Sequence, residues 1–522
     1  MEEERRPGAL RSLAEAMRSW RTASVALLSF SSGLPLGLVW IAIPDWMRSI
    51  GVDIRVVGLL TLAQAPWSFK ILWAPLMDRW TPPFLGRRRG WAAIAQVALL
   101  LLGLGLAGVG NHPDTPWVIG ALALAIAFAS ATQDVAIDAY AVDVLRADEQ
   151  GVAVGARIAL YRAAMFVAGG LSITLAAEIG WPAVNVLLAL CYLPMLIVTW
   201  RAPEPDTTVP PPRTLRDAIW LPFLGFLARH RALEILAFVI LYKLADNLAG
   251  ALTRPFLIDM GYDELDRGVA LATVGLAATL FGTFMGGFVT TLIGLGHALW
   301  AFGFLQIFSN VGYVLVANSP PDRWLMYGAT GFESLTSGMG TGAFSVLLLR
   351  MTQKRFSATQ YALFSSLFGL PRILSGPVSG FVVDALGWSA FYWITIASGL
   401  PGMLLLARFV PLGVREPEFV VEPVRAAAPL GPRALVLRGV AGALVTIGLT
   451  AFVLALLAAL KSTASGGAFD LMAGVAPMLG PSGVADWVQL IGVLATGVIT
   501  GLFVAAIAAA RRGAGADASS LE

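Results

Sequence analysis

Residues 129–145, Ala-Ser-Ala-Thr-Gln-Asp-Val-Ala-Ile-Asp-Ala-Tyr-Ala-Val-Asp-Val-Leu, close an apolar run that begins near Trp117. The run is long enough to predict a membrane-spanning helix. Its later part nevertheless carries Gln133, Asp134, Asp138 and Asp143. Asp134 and Asp138 are four residues apart and share one helical face. A carboxylate facing lipid is costly, so these side chains must face a partner or a watery cavity. They are candidates for a transport pathway.

Similar apolar runs, each about 20 residues long and able to span a bilayer, recur through the chain. It has 522 residues, 57% hydrophobic and 13% charged, with a mean hydropathy of +0.75. Such a composition excludes an ordinary globular protein. Cys191 is the single cysteine and lies in an apolar run, so it reads as a packed thiol and no disulfide framework exists. His112, His230 and His297 fall in predicted loops or helix ends, and no metal-ligand spacing is present. Neither metal nor cofactor is expected, and no nucleic-acid partner.

Fourteen spans are predicted, at 22–47, 54–77, 90–110, 116–143, 152–178, 182–200, 232–258, 265–292, 297–317, 323–350, 357–384, 388–410, 435–460 and 484–510. One set of loops collects Arg79, Arg87, Arg88, Arg89, Arg201, Arg350 and many other cations, while the other has only Arg48, Arg55, Arg267, Arg323 and Lys461. The positive-inside rule then puts both termini in the cytoplasm. No cleavable leader is expected. Residues 1–21, with Leu10, Leu13, Met17 and Trp20 at helical spacing among arginines, read as an interfacial helix or a basic tail.

Two proline-rich, charged stretches, 201–231 and 411–434, read as cytoplasmic linkers. They divide the chain into a six-helix bundle at 22–200, a second at 232–410, a helix pair at 435–512 and a disordered tail at 513–522. An internal repeat supports the six-plus-six division. Ile50-Gly51-Val52-Asp53 with Gly58 is echoed by Met260-Gly261-Tyr262-Asp263 with Gly268, and Gly180-Trp181 by Gly387-Trp388. Duplicated halves around a midplane site are the architecture of secondary transporters.

The second-to-third loop holds Asp78-Arg79, then Gly86-Arg87-Arg88. It resembles the cytoplasmic signature of the major facilitator superfamily, lengthened by Pro82-Pro83. The wider block Phe69-Lys70-Ile71-Leu72-Trp73-Ala74-Pro75-Leu76-Met77-Asp78-Arg79 is similar to the AmpG muropeptide permease family. So are Ser32-Gly33-Leu34-Pro35-Leu36, Gln133-Asp134 with Asp138, Tyr242-Lys243-Leu244 with Asp246, Gly338-Met339-Gly340-Thr341 and Phe356-Ser357-Ala358-Thr359-Gln360. These blocks lie in both halves.

The charges separate into roles. Asp78, Arg79, Arg87, Arg88 and Asp143 sit where water meets the helix ends and read as a gating latch, or as a positive-inside anchor. Asp134, Asp138 and Glu333 lie deeper and are the candidates for proton coupling, since a carboxylate between a low-dielectric cavity and a nearby cation can load and release a proton. Arg162, with Tyr161 and Arg157, is the predicted counter-ion; a permanent Asp–Arg pair joining spans four and five is the alternative. Lys70 reads as a lysine that snorkels to the interface. Lys243, Asp246 and Asn247 share one side of the seventh span, either pairing internally or meeting an anionic solute. Gln133, Gln360 and Arg372 complete the predicted lining, and Trp40 is a candidate for stacking on a sugar.

The expected fold is an all-α membrane protein, a facilitator core of twelve helices plus a C-terminal pair. Nothing resembles a nucleotide-binding loop or a nucleophile–base arrangement, so a carrier is expected rather than an enzyme. The AmpG resemblance implies proton-driven import of anhydromuropeptides across a bacterial inner membrane by a monomer. It leaves open another anionic solute such as an acyl-coenzyme A, as well as a substrate-sensing receptor.

Overall fold

The computed structural model describes residues 15–52, 63–109, 116–204, 210–227, 231–417, 430–464 and 467–512. Their regular structure is helical. In chain order the first half has α1 (Trp20–Ser49), α2 (Ala65–Phe69), α3 (Ala74–Arg79), α4 (Gly86–Val109), α5 (Pro116–Val144), α6 (Gln150–Ile179) and α7 (Trp181–Arg201). Helix α8 (Leu215–Leu227) follows. The second half has α9 (Ala232–Asp259), α10 (Glu264–Ile293), α11 (Leu295–Ala317), α12 (Arg323–Met351) and α13 (Ser357–Phe409). Last come α14 (Pro432–Ala464), α15 (Leu471–Leu479) and α16 (Val484–Ala510).

Among the described residues, 11 helices are long and apolar enough to cross a membrane. The other three of the fourteen predicted spans are not among them. The second, at 54–77, lies outside the described residues as far as 62; beyond that, Pro66 and Pro75 flank a 3₁₀ turn at Lys70–Leu72 between α2 and α3. The tenth, α12, is a continuous helix of 29 residues but interleaves Glu333, Ser334, Thr336 and Ser337 with its apolar positions. The eleventh runs into the twelfth within α13, where Gly387 alone turns the chain at φ +79°. Asp53 and Gly58 of the repeat lie outside the described residues, as do Leu10, Leu13 and the tail 513–522.

Two compact units emerge. One comprises Met1–Ala218 with Leu233–Phe419, and the other Ile219–Ala232 with Val420–Glu522. The stretch 201–231, expected as a plain connector, thus carries a helix whose apolar later part belongs with the C-terminal pair. There Phe223 meets Phe503 edge to face, with ring centroids 5.1 Å apart. The 461–483 loop likewise holds α15, whose Gly474 packs against Ala455 of α14.

The repeat reaches further than its sequence echo. Six of the seven described glycines with left-handed φ fall in matched pairs, Gly51 (+90°) and Gly261 (+82°), Gly86 (+71°) and Gly294 (+89°), Gly180 (+80°) and Gly387 (+79°), while Gly413 (+91°) stands alone. Each of the six marks a helix boundary or corner, where a side chain would strain the backbone. The segments that end the two halves also correspond. Glu204 crowds Gly86 and pairs with Arg89, while Glu416 crowds Gly294 and pairs with Arg350.

The two halves, both in the first unit, meet closely at the end rich in arginine. A Cβ at Gly151 of α6 would stand 2.0 Å from Thr291 Oγ1 of α10, and one at Gly287 would stand 2.2 Å from the Gly151 carbonyl oxygen. Only glycine permits that approach.

Candidate functional site

Helix α5 is buried almost continuously from Ala129 to Val144, which places its polar side chains among neighbouring helices. Asp138 lies between two cations. Lys70 Nζ, presented by the 3₁₀ turn, is 3.3 Å from Asp138 Oδ2, and Arg157 of α6 bonds Oδ1. Lys70 and Asp138 are only 8% and 6% exposed. Asp134, one turn away, is within electrostatic reach of both cations. The Arg157 guanidinium also lies over the Tyr361 ring of α13, 5.7 Å from its centroid. Asp138 is therefore wired through Arg157 to the opposite half.

Behind this cluster, Ser31 of α1 accepts bonds from Gln133 and, at 3.4 Å, from Gln96 Nε2 of α4. Thr199 Oγ1 of α7 donates to Gln96 Oε1 at 2.7 Å. The Gln133 carbonyl oxygen is buried without a partner.

The second half repeats the design with different chemistry. Helix α9 is interrupted at Tyr242–Lys243, and Lys243 Nζ donates to Asp246, to Gln306 Oε1 of α11 at 2.5 Å and to the Ser337 carbonyl of α12 at 2.9 Å. Ser31, Gln96 and Gln133 thus have counterparts in Lys243, Gln306 and Ser337 on repeat-related helices. Gly340 makes room, since a Cβ there would lie 2.0 Å from Gln306 Nε2. Asn247 Nδ2 turns back to the Lys243 carbonyl at 2.8 Å. Glu333, half-buried, accepts from Ser334 Oγ at 3.3 Å and lies within electrostatic reach of Lys243 and Asp246.

Beside the first cluster, Tyr161 and Arg162 of α6 are half-buried, and Arg372 of α13 is exposed yet within electrostatic reach of both. Arg372 is therefore turned towards α6 of the first half.

At the arginine-rich end, Arg88 bridges Asp78 (2.7 Å) and Asp143 (2.8 Å) and donates to Ser357 Oγ at 2.7 Å. Asp78 also accepts from the N–H groups of Ala358 (3.2 Å) and Thr359 (2.8 Å) and from Thr359 Oγ1 (2.6 Å). A carboxylate of the first half thus caps the first turn of α13 in the second, where the helix presents unpaired donors and positive potential. Arg87 Nη2 stands 3.9 Å from Asp143. Arg350 of α12 reaches Gln150 Oε1 of α6 at 3.1 Å.

Several expectations need correction. Lys70 does not snorkel; it is buried and paired with Asp138. Arg157 and Lys70 are the counter-ions of α5, not Arg162. Gln360 is fully buried at the start of α13 and tied to Gln353 (2.9 Å), so it lines no cavity. Arg79 is exposed and stands outside the latch. Lys243 spends its donors within its own half, the internal of its two possible roles. Trp40 meets Trp67 edge to face at 6.0 Å, and its indole N–H is buried without a partner.

Two six-helix halves, a polar cluster inside each and a charged seam at one end define a secondary transporter. The family profile described as Major Facilitator Superfamily matches residues 25–375. The Anhydromuropeptide permease of Escherichia coli K12 is 42% identical over 388 residues, covering 74% of this chain and 79% of that one. Putative transporter AmpG 4 of Rickettsia felis is 28% identical, covering 76% and 97%. In solved structures, the proton:xylose symporter XylE and the E. coli fucose:proton symporter FucP each align at TM-score 0.56 and 13% identity, covering 75% of this chain and 96% and 99% of theirs. That likeness is one of fold alone. The chain belongs to the major facilitator superfamily and, within it, to the AmpG-like permeases: it is a multi-pass membrane transporter, not an enzyme.

Proposed function

We propose that this transporter carries anhydromuropeptides inward across a bacterial inner membrane, driven by protons, and so serves peptidoglycan recycling. The observation that carries the substrate is the 42% identity to the E. coli anhydromuropeptide permease along most of both chains. The distribution of arginine supports cytoplasmic termini. The protein then stands with its cytoplasmic end drawn together by Asp78, Arg88, Asp143 and the first turn of α13.

Proton coupling runs through Asp134 and Asp138, with Glu333 as a second site in the other half. Protonation of Asp138 weakens its bonds to Lys70 and Arg157, and Arg157 touches Tyr361 across the seam. A proton arriving from the periplasm thereby loosens a contact between the halves. Alternating access is completed when the Asp78–Arg88 latch opens. Trp40 stacks on the sugar.

Energised uptake is the test. Inverted vesicles and right-side-out proteoliposomes are given labelled anhydromuropeptide under an imposed pH gradient. Accumulation that a protonophore abolishes is expected; accumulation indifferent to the gradient would remove the coupling, and none at all would remove the substrate.

A further inference from the structure

We infer that Arg162 and Arg372 form one anion subsite, in which a carboxylate of the solute bridges the two halves. The inference rests on the transport reading above and names which part of the solute this place takes.

Helices α6 and α13 start at the same end of the molecule and touch where Arg157 lies over Tyr361. Arg162 is five residues beyond Arg157, and Arg372 is eleven beyond Tyr361. At 1.5 Å per residue they stand roughly 8 and 16 Å above that contact. The long side chains cover the offset, because Arg372 acts electrostatically on both Tyr161 and Arg162.

These two cations differ from their neighbours. Lys70 and Arg157 share Asp138, Lys243 has Asp246, and Arg88 has Asp78 and Asp143. Among the described residues no carboxylate lies at ion-pair distance from Arg162 or Arg372. A guanidinium does not escape by losing its proton. Two like charges from opposite halves, both midway along their helices, are relieved by an anion from outside the chain. Guanidinium forks match carboxylates in shape and bond them in pairs. The ligand class is a carboxylate-bearing solute, and in an anhydromuropeptide the group is a carboxylate of the peptide. Tyr161 lies within reach of both arginines and of Asp134, so the anion binds beside the proton-loading carboxylate. With no anion bound, repulsion between Arg162 and Arg372 keeps the halves apart at the end opposite the latch.

Two measurements on the full chain in proteoliposomes test this. The first compares uptake of labelled anhydromuropeptide with uptake of the same compound after its peptide carboxylates are amidated. The wild type is expected to prefer the acid form. Arg162→Gln and Arg372→Gln are each expected to raise KM for the acid form at least tenfold and erase the preference, with Arg372→Lys restoring part of it. A preference unchanged in both glutamine variants overturns the subsite and leaves the transport reading standing. The second measurement needs no solute. Spin labels at Ser49→Cys and Leu265→Cys, in a Cys191→Ala background, report the distance across the opposite end of the ligand-free protein. Arg372→Gln is expected to shorten it. An unchanged distance overturns the repulsion argument, whereas a shortened one in a protein that takes up neither compound keeps the arginine pair and defeats the muropeptide reading.

Discussion

Asp138 holds two cations that, among the described residues, have no other acid at contact distance, so its loss is unlike the loss of Asp134. Removing one partner from a buried ion pair costs about 3–5 kcal/mol, because the remaining charge is left uncompensated. Asp138→Asn is therefore expected to lower the melting temperature in detergent by several degrees, and Lys70→Met with Asp138→Leu to recover part of that loss. Asp134→Asn, which breaks no direct ion pair, is expected to melt close to the wild type. Its defect is expected in transport: accumulation against a gradient falls at least tenfold while counterflow exchange persists. Equal melting losses in the two asparagine variants would contradict this division. At this scale the sequence disclosed the acids and concealed their partners. Asp134 and Asp138 stood out as carboxylates in an apolar run. Lys70 was misread because snorkelling is the ordinary fate of a lysine in a span. The signal that corrects it was available in Pro66 and Pro75, which break the helix and aim the side chain inward.

Among the elements, α9, α11 and α12 are held together by a lysine bonded to all three, and a glycine sets the spacing. Gly340→Ala would press a methyl group on the Gln306 amide, whose partner is Lys243. Overpacking of that kind costs about 1–3 kcal/mol, and Gly340→Ala is expected to reduce the yield of folded protein and lower its melting temperature. Gly328→Ala, on the same helix, has open space around it and is expected to change neither. Indistinguishable melting curves for the two variants would refute the packing argument. Helices were legible wherever apolar residues ran unbroken, as in α4 and α11. They were not legible where length and hydropathy parted company, as in α12, or where one glycine had to divide two spans, as in α13. Gln96 and Gln306 passed unnoticed because a lone glutamine in a span has no periodic signature; only the duplication makes them a pair.

For the whole molecule, the Asp78–Arg88–Asp143 cluster is the contact proposed to hold one end shut. Asp78 serves the N-terminus of α13 and Arg88 together, so Asp78→Asn weakens four contacts in one step. This variant is expected to label at least tenfold faster than the wild type at a cysteine replacing Ser357, and to transport poorly. Glu416→Gln, which weakens only the outlying pair with Arg350, is expected to have a smaller effect. Equal labelling rates in Asp78→Asn and wild type would show that the closed end is held by the glycine seam alone. Asp78, Arg87 and Arg88 were readable from their motif, which also suggested Arg79, and Asp143 from the α5 run; the caps from Ser357 and Thr359 were not, since nothing local in a sequence reveals a partner supplied from another half.

The matched left-handed glycines carry a genetic corollary. If every codon of the gene were varied and survival scored, six positions closed to a β-carbon by their backbone angle would recur as twins: 51 with 261, 86 with 294, 180 with 387. A tolerance map of the first half, slid along onto the second, should therefore lay its deepest scars over one another.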